Sequence, residues 1–201
     1  MRKIFFLILG LALVFSACKQ TAEGYYNTGT SKLDNCDYKG AIEEYSKTIA
    51  LDPNFENAYL KRGLAKVELG FYAPAIVDYN SALEINPKNI AAYFKRGIIK
   101  HKLEEYKWAI EDYDKALEID PEIEEVFCNR GLAKAMLQNY SGAIADYNRA
   151  LELNPNDAKA MVNRGLTKID MGNIEEGCLD LQKGRELGNA VAYEAIKMYC
   201  K

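Results

Sequence analysis

Residues 90–123 read IAAYFKRGIIKHKLEEYKWAIEDYDKALEIDPEI, and residues 124–157 repeat the pattern column by column. A large aromatic stands fourth (Tyr93, Phe127), a glycine eighth (Gly97, Gly131) and a tyrosine seventeenth (Tyr106, Tyr140). Alanine is twentieth (Ala109, Ala143), tyrosine twenty-fourth (Tyr113, Tyr147) and proline thirty-second (Pro121, Pro155). The same register extends both ways. Pro53, Pro87, Pro121 and Pro155, four of the five prolines, are 34 residues apart, so the units open at Ala22, Glu56, Ile90, Glu124 and Ala158. Apolar columns recurring at about one helical turn predict two amphipathic helices per unit. Each proline ends the second helix, because it lacks an N–H and disfavours helix in its predecessor. The residues before them, Asp52, Asn86, Asp120 and Asn154, suit a turn. One hairpin cannot bury both of its faces, so neighbours must stack.

The order large aromatic, Gly, aromatic, Ala, aromatic, Pro resembles the tetratricopeptide repeat (TPR) family over residues 22 to about 189. That resemblance implies an all-α, right-handed superhelical solenoid of five repeats: 22–55, 56–89, 90–123, 124–157 and a degenerate 158–189. In the fifth unit Ile174, Gly177, Leu181 and Asn189 replace the pattern residues. Residues 190–201 carry apolar side chains at helical spacing and are expected to form the capping helix an array end needs.

The first 17 residues read as an address. Arg2 and Lys3 precede a 12-residue apolar run, Ile4 to Phe15, too short to span a bilayer and suited to a signal peptide. Phe15-Ser16-Ala17-Cys18 resembles the lipobox of bacterial lipoproteins, although that family prefers Leu or Val where Phe15 stands. The resemblance implies cleavage after residue 17, lipidation of Cys18, and residues 18–21 as the tether. An ordinary secretory signal with an incidental cysteine, or a short anchor helix, are the alternatives. Lys19 after the cysteine favours the outer membrane of the bacterial envelope over inner-membrane retention. Cleavage removes Arg2 and Lys3 and takes the net charge from −3 to −5.

Composition narrows the function. At 49% hydrophobic and 27% charged the chain can bury a core, and a net charge of −3 gives no basis for nucleic-acid binding. A single histidine, His101, excludes multi-histidine metal sites. No nucleophile elbow, phosphate-cradling loop or metal cluster occurs, so neither an enzyme nor a cofactor is expected. If the last two helices run antiparallel about Gly188, Cys178 and Cys200 face one another, either as a disulfide or as two buried thiols. Cys36 and Cys128 receive no chemistry.

Two charged patterns remain. Arg62, Arg96, Arg130 and Arg164 fill column 7, Lys32, Lys66, Lys100, Lys134 and Lys168 fill column 11, and Glu44, Asp78, Asp112, Asp146 and Asp180 fill column 23. They are expected to form an internal ladder of ion pairs between the two helices of each unit. Nine bases against five acids also leave room for a ridge that binds a polyanionic or glycan ligand. By the TPR resemblance, partners lie in a concave groove lined by the first helices. Tyr26, Asn27, Leu60, Lys61, Phe94, Lys95, His101, Asn129 and Asn163 are the expected lining. The Lys and Asn set with which some TPR co-chaperones grip a C-terminal carboxylate is absent: column 5 has no lysine and column 9 no asparagine. The expected function is therefore a membrane-anchored scaffold that takes a peptide segment, a partner helix or a second copy of the chain in its groove.

Overall fold

The computed structural model describes residues 20–200. The leader at 1–17 and the lipidation expected at Cys18 lie outside the described residues. Within them are eleven helices and no strand. They are α1 (Ala22–Asp34), α2 (Tyr38–Leu51), α3 (Glu56–Glu68), α4 (Tyr72–Ile85), α5 (Ile90–Lys102), α6 (Tyr106–Ile119), α7 (Glu124–Met136), α8 (Tyr140–Leu153), α9 (Ala158–Asp170), α10 (Ile174–Glu186) and α11 (Ala190–Tyr199). The odd-numbered helices α1 to α9 open at the five positions where the units begin. None of the eleven is long and apolar enough to cross a membrane.

Local chemistry sets the ends of these helices. Thr21, Asp37, Asn89, Asn139, Asp157 and Asn189 each accept a hydrogen bond from a backbone N–H in the first turn of the helix that follows. The turn between the two helices of a unit needs a left-handed residue at column 15. Gly70 and Gly172 supply it freely, whereas Cys36, Glu104 and Gln138 adopt φ values of 59°, 61° and 60°.

The described chain forms two compact units, one ending at Asp78 and one starting at Tyr79, so the division falls inside α4. In the first unit, Ala41 and Tyr45 of α2 pack with Ala58 and Ala65 of α3. In the second, Phe94, Tyr113, Leu117 and Val126 form one cluster, and Cys128, Tyr147 and Ala160 another. The glycine of column 8 lets the helices of a hairpin meet. A Cβ on Gly29, Gly97 or Gly131 would sit 2.8, 2.6 or 2.8 Å from the ring of Tyr45, Tyr113 or Tyr147. In the fifth unit Leu181 replaces the tyrosine and Gly177 the alanine, and the backbones themselves close in: a Cβ on Gly177 would lie 2.6 Å from the Gly165 carbonyl oxygen. The lapse of the sequence pattern there is thus a tighter α9–α10 hairpin.

The last described helix is α11. Ala192 and Ala195 pack on Val162 and Leu181, and a Cys178–Cys200 disulfide ties the helix to α10 across a Cα–Cα distance of 5.7 Å. Ala192 and Tyr193 stand where a sixth unit would carry its third and fourth residues. At the eighth position, however, Lys197 replaces the glycine and pairs with Glu194 at 2.9 Å.

Candidate functional site

The charge columns are joined within each hairpin. Arg62 and Lys66 both reach Asp78, at 2.7 Å each. Arg96 and Lys100 reach Asp112 at 2.5 and 2.9 Å, Arg130 and Lys134 reach Asp146 at 2.6 and 2.7 Å, and Arg164 and Lys168 reach Asp180 at 2.7 and 3.0 Å. The first unit has Thr28 in place of the arginine, and there Lys32 and Lys47 share Glu44. Each arginine also extends Nη1 to the second helix of the preceding unit, donating to Ser46, Asn80, Asp114 or Asn148. One guanidinium therefore fixes both the hairpin and its register against the neighbour. Burial pushes the Asp180 carboxyl up, but hydrogen bonds and charge from Arg164 and Lys168 outweigh it and hold the group below its ordinary range. Lys32 and Lys47 do the same for Glu44. All nine basic residues of columns 7 and 11 end on the acids of column 23, so these columns present no free ridge to an anion.

The face of the first helices is what remains open. In the compact unit that ends at Asp78, Asn27 is exposed and Lys61 half-buried, beside the half-buried Leu60. Tyr26 packs its ring 4.9 Å from Phe55 and 5.7 Å from Tyr45. In the compact unit that starts at Tyr79, Lys95 is exposed, while Asn129 and Asn163 are half-buried. Asn129 donates to the Glu125 carbonyl one turn back, and Asn163 donates towards Cys128 Sγ. Phe94, expected on the groove, is instead a core residue: it is 8% exposed, with its ring 6.0 Å from that of Tyr113. Cys128 and Val162 in the same column are buried too, and burial pushes the Cys128 thiol up to about 11. In the compact unit that starts at Tyr79, column 5 packs against the next hairpin or α11, and column 6, one residue on, is the more accessible, polar column.

Between α7 and α9 this face is hollowed. Leu132, Ala135 and Met136 on one side and Asn163, Leu166, Thr167 and Asp170 on the other enclose about 190 Å³, with Tyr147 at the floor. The walls are mostly apolar; Asn163 and Asp170 mark the rim. Thr167 and Tyr147 were not expected here. The available signal was Thr167 itself, a hydroxyl in a column that is apolar in the three preceding units (Ala65, Ile99, Ala133). Its hydroxyl donates back to the Asn163 carbonyl, which satisfies it inside the helix. His101 lies half-buried on the same side of α5, edge-on to Tyr106 at 5.1 Å. Burial and the Lys159 charge lower its pKa, so it stands neutral at pH 7.

The tetratricopeptide-repeat model matches residues 90–123 and 124–157, and a second TPR-repeat model matches residues 37–70 and 63–104. Together these spans cover more than half of the chain. The chain belongs to the tetratricopeptide-repeat family. No curated protein matches it. Among solved structures it is similar to MamA from Desulfovibrio magneticus RS-1, with 20% identity, TM-score 0.79, and 83% of this chain and 94% of that one covered. It is also similar to YrrB, described as a TPR protein with an unusual peptide-binding site (24% identity, TM-score 0.77, 89% and 93% covered). PilF of Pseudomonas aeruginosa matches at 18% identity and TM-score 0.74, over 85% of this chain and 79% of that one. At these identities the likeness is one of fold. The chain's recurring residues are spent on packing within and between its hairpins.

Proposed function

We propose that this TPR chain is an interaction scaffold tethered to the bacterial envelope, and that it holds a peptide segment or helix of a protein partner on the open face of its first helices. The observation that carries this reading is the hollow between α7 and α9, apolar along its walls and edged by Asn163 and Asp170. Such a lining suits an apolar side chain entering from a peptide whose backbone amides meet the rim. The neighbour YrrB, described as having a peptide-binding site, supports the class of function. The tether rests on the sequence alone, on the lipobox-like Phe15-Ser16-Ala17-Cys18. With Cys18 lipidated, only Lys19 to Thr21 separate the membrane from α1, about 10 Å at full extension. The polyanion or glycan reading loses its footing, because the columns that suggested it are consumed by the ion-pair ladder.

The test is a crosslinking pull-down from intact cells with Leu132→Ser/Asn163→Ala beside the wild type, each checked for helical content. Loss of specific partners from the variant supports the groove. A partner set unchanged in a folded variant moves the interface elsewhere. Cys18→Ser, followed by fractionation, tests the tether: the protein should leave the membrane fraction.

A further inference from the structure

A second surface lies away from the groove, on the edge where the two helices of each unit turn. In the second compact unit the residue capping the first helix of each hairpin is a large exposed hydrophobe: Leu103 (41%), Leu137 (39%) and Met171 (45%). Trp108 (58%) and Ile174 (51%), at the starts of α6 and α10, extend the same edge. Scattered exposed hydrophobes are ordinary on a soluble protein, but contiguous ones mark contact sites. Two of them meet: Trp108 and Leu137, from successive units, line one slot of about 290 Å³ with Glu104, Glu105 and Lys107, and Met171 holds the turn position of Leu137 one unit further on. The internal ladder and the core use none of them.

The charge around this ridge has one dominant sign. Glu104 and Glu105 stand exposed at one end, and Glu175 and Glu176 at the other. Glu176 meets Lys168 at 3.5 Å, and Lys102 and Lys107 are the bases of the first turn. Lys100 keeps its ammonium 6.0 Å from the Trp108 ring while bound to Asp112. Four acids against two exposed bases favour a cationic partner. Neighbouring helices pack about 10 Å apart, so three turns extend about 20 Å, which a helix of about 14 residues spans at about 1.5 Å per residue.

We propose that this Leu103–Trp108–Leu137–Met171–Ile174 edge is a second docking surface, fitted to a cationic amphipathic helix of a protein partner. The apolar face of such a helix covers the ridge, and its Lys or Arg residues meet the glutamates at either end. This goes beyond the groove reading and does not depend on it.

Trp108 is the chain's only tryptophan and so reports directly on the surface. The probe is a synthetic 14-residue Leu–Lys amphipathic helix, titrated into the full chain while Trp108 emission is followed, with a Leu–Glu peptide as counterpart. The expected result is a saturating blue shift with the Leu–Lys peptide alone. Leu137→Ser/Met171→Ser and, separately, Glu104→Gln/Glu105→Gln/Glu175→Gln/Glu176→Gln should each weaken binding about tenfold or more. Leu132→Ser/Asn163→Ala in the groove should leave it unchanged. The proposal is overturned by any of four results: no shift, an equal response to the Leu–Glu peptide, affinity insensitive to the ridge variants, or loss through the groove variant. A blue shift that grows with protein concentration in the absence of peptide also overturns it, because a second copy would then be the occupant.

Discussion

Replacing Asp146 by alanine removes the shared acceptor of Arg130 and Lys134, which approach it at 2.6 and 2.7 Å. Those two side chains are only 17% and 19% exposed, and the Asp146 side chain 5%. Two cations are then left beside each other in a largely desolvated hairpin. Breaking a buried pair by removing one partner costs about 3–5 kcal/mol, mostly through the charge left behind. With a urea m-value of about 2 kcal/mol/M, the midpoint should fall by about 1.5–2.5 M. Far-UV circular dichroism measures the midpoint. Because repeat arrays can unfold in parts, amide exchange over α7 and α8 identifies where the loss falls. Asp114→Ala is the internal control. Asp114 also binds Arg130, at 2.6 Å, but is 46% exposed, so its removal should cost less than about 1 kcal/mol. The triple replacement Arg130→Met/Lys134→Met/Asp146→Leu swaps the cluster for apolar groups and should return most of the loss. An Asp146→Ala midpoint within about 0.5 M of wild type would refute the argument that these pairs act as desolvated, coupled charges.

Gly97→Ala puts a methyl group 2.6 Å from the Tyr113 ring and should cost about 1–3 kcal/mol in thermal or urea unfolding. Cys200→Ser opens a bridge between residues 22 apart and should release about 3 kcal/mol of constraint, seen as faster amide exchange in α11 with α5–α8 unchanged. Asp180 and Glu44 titrate below their ordinary values, so their contribution is full above the normal carboxylate range and is lost as pH falls through their folded values. Urea midpoints should therefore drop steeply below about pH 4, and Asp180→Asn should start lower and lose less over that interval.

The fold was legible because the 34-residue period repeats a complete steric solution. Small residues at columns 8 and 20 meet the ring at column 24, and proline resets each hairpin. Where that solution changes, the sequence shows only the substitution: Gly177 and Leu181 read as decay, whereas the structure has a closer pair of backbones. The division inside α4 left no trace, since Tyr72, Ala75 and Tyr79 keep the register of the other units. The site was harder to read. Hydrophobicity at columns 5 and 9 does not say whether a side chain covers the neighbouring helix or faces solvent. Phe94 was assigned to the groove and is buried, as are Cys128 and Val162 of the same column, while the adjacent column 6 holds the accessible Lys95. The surplus of bases over acids in the charge columns had no unique reading either, because residue counts do not reveal that one carboxylate can hold two cations.

The central claim is that partners are held on the open face of the first helices. Site-specific photo-crosslinking in intact cells tests it most directly, with the photoreactive residue at position 163 on the rim of the α7–α9 hollow and, for comparison, at position 115 on the exposed side of α6. The account predicts discrete adducts from position 163 and none of the same mass from position 115. Adducts from position 115 with position 163 silent would contradict it.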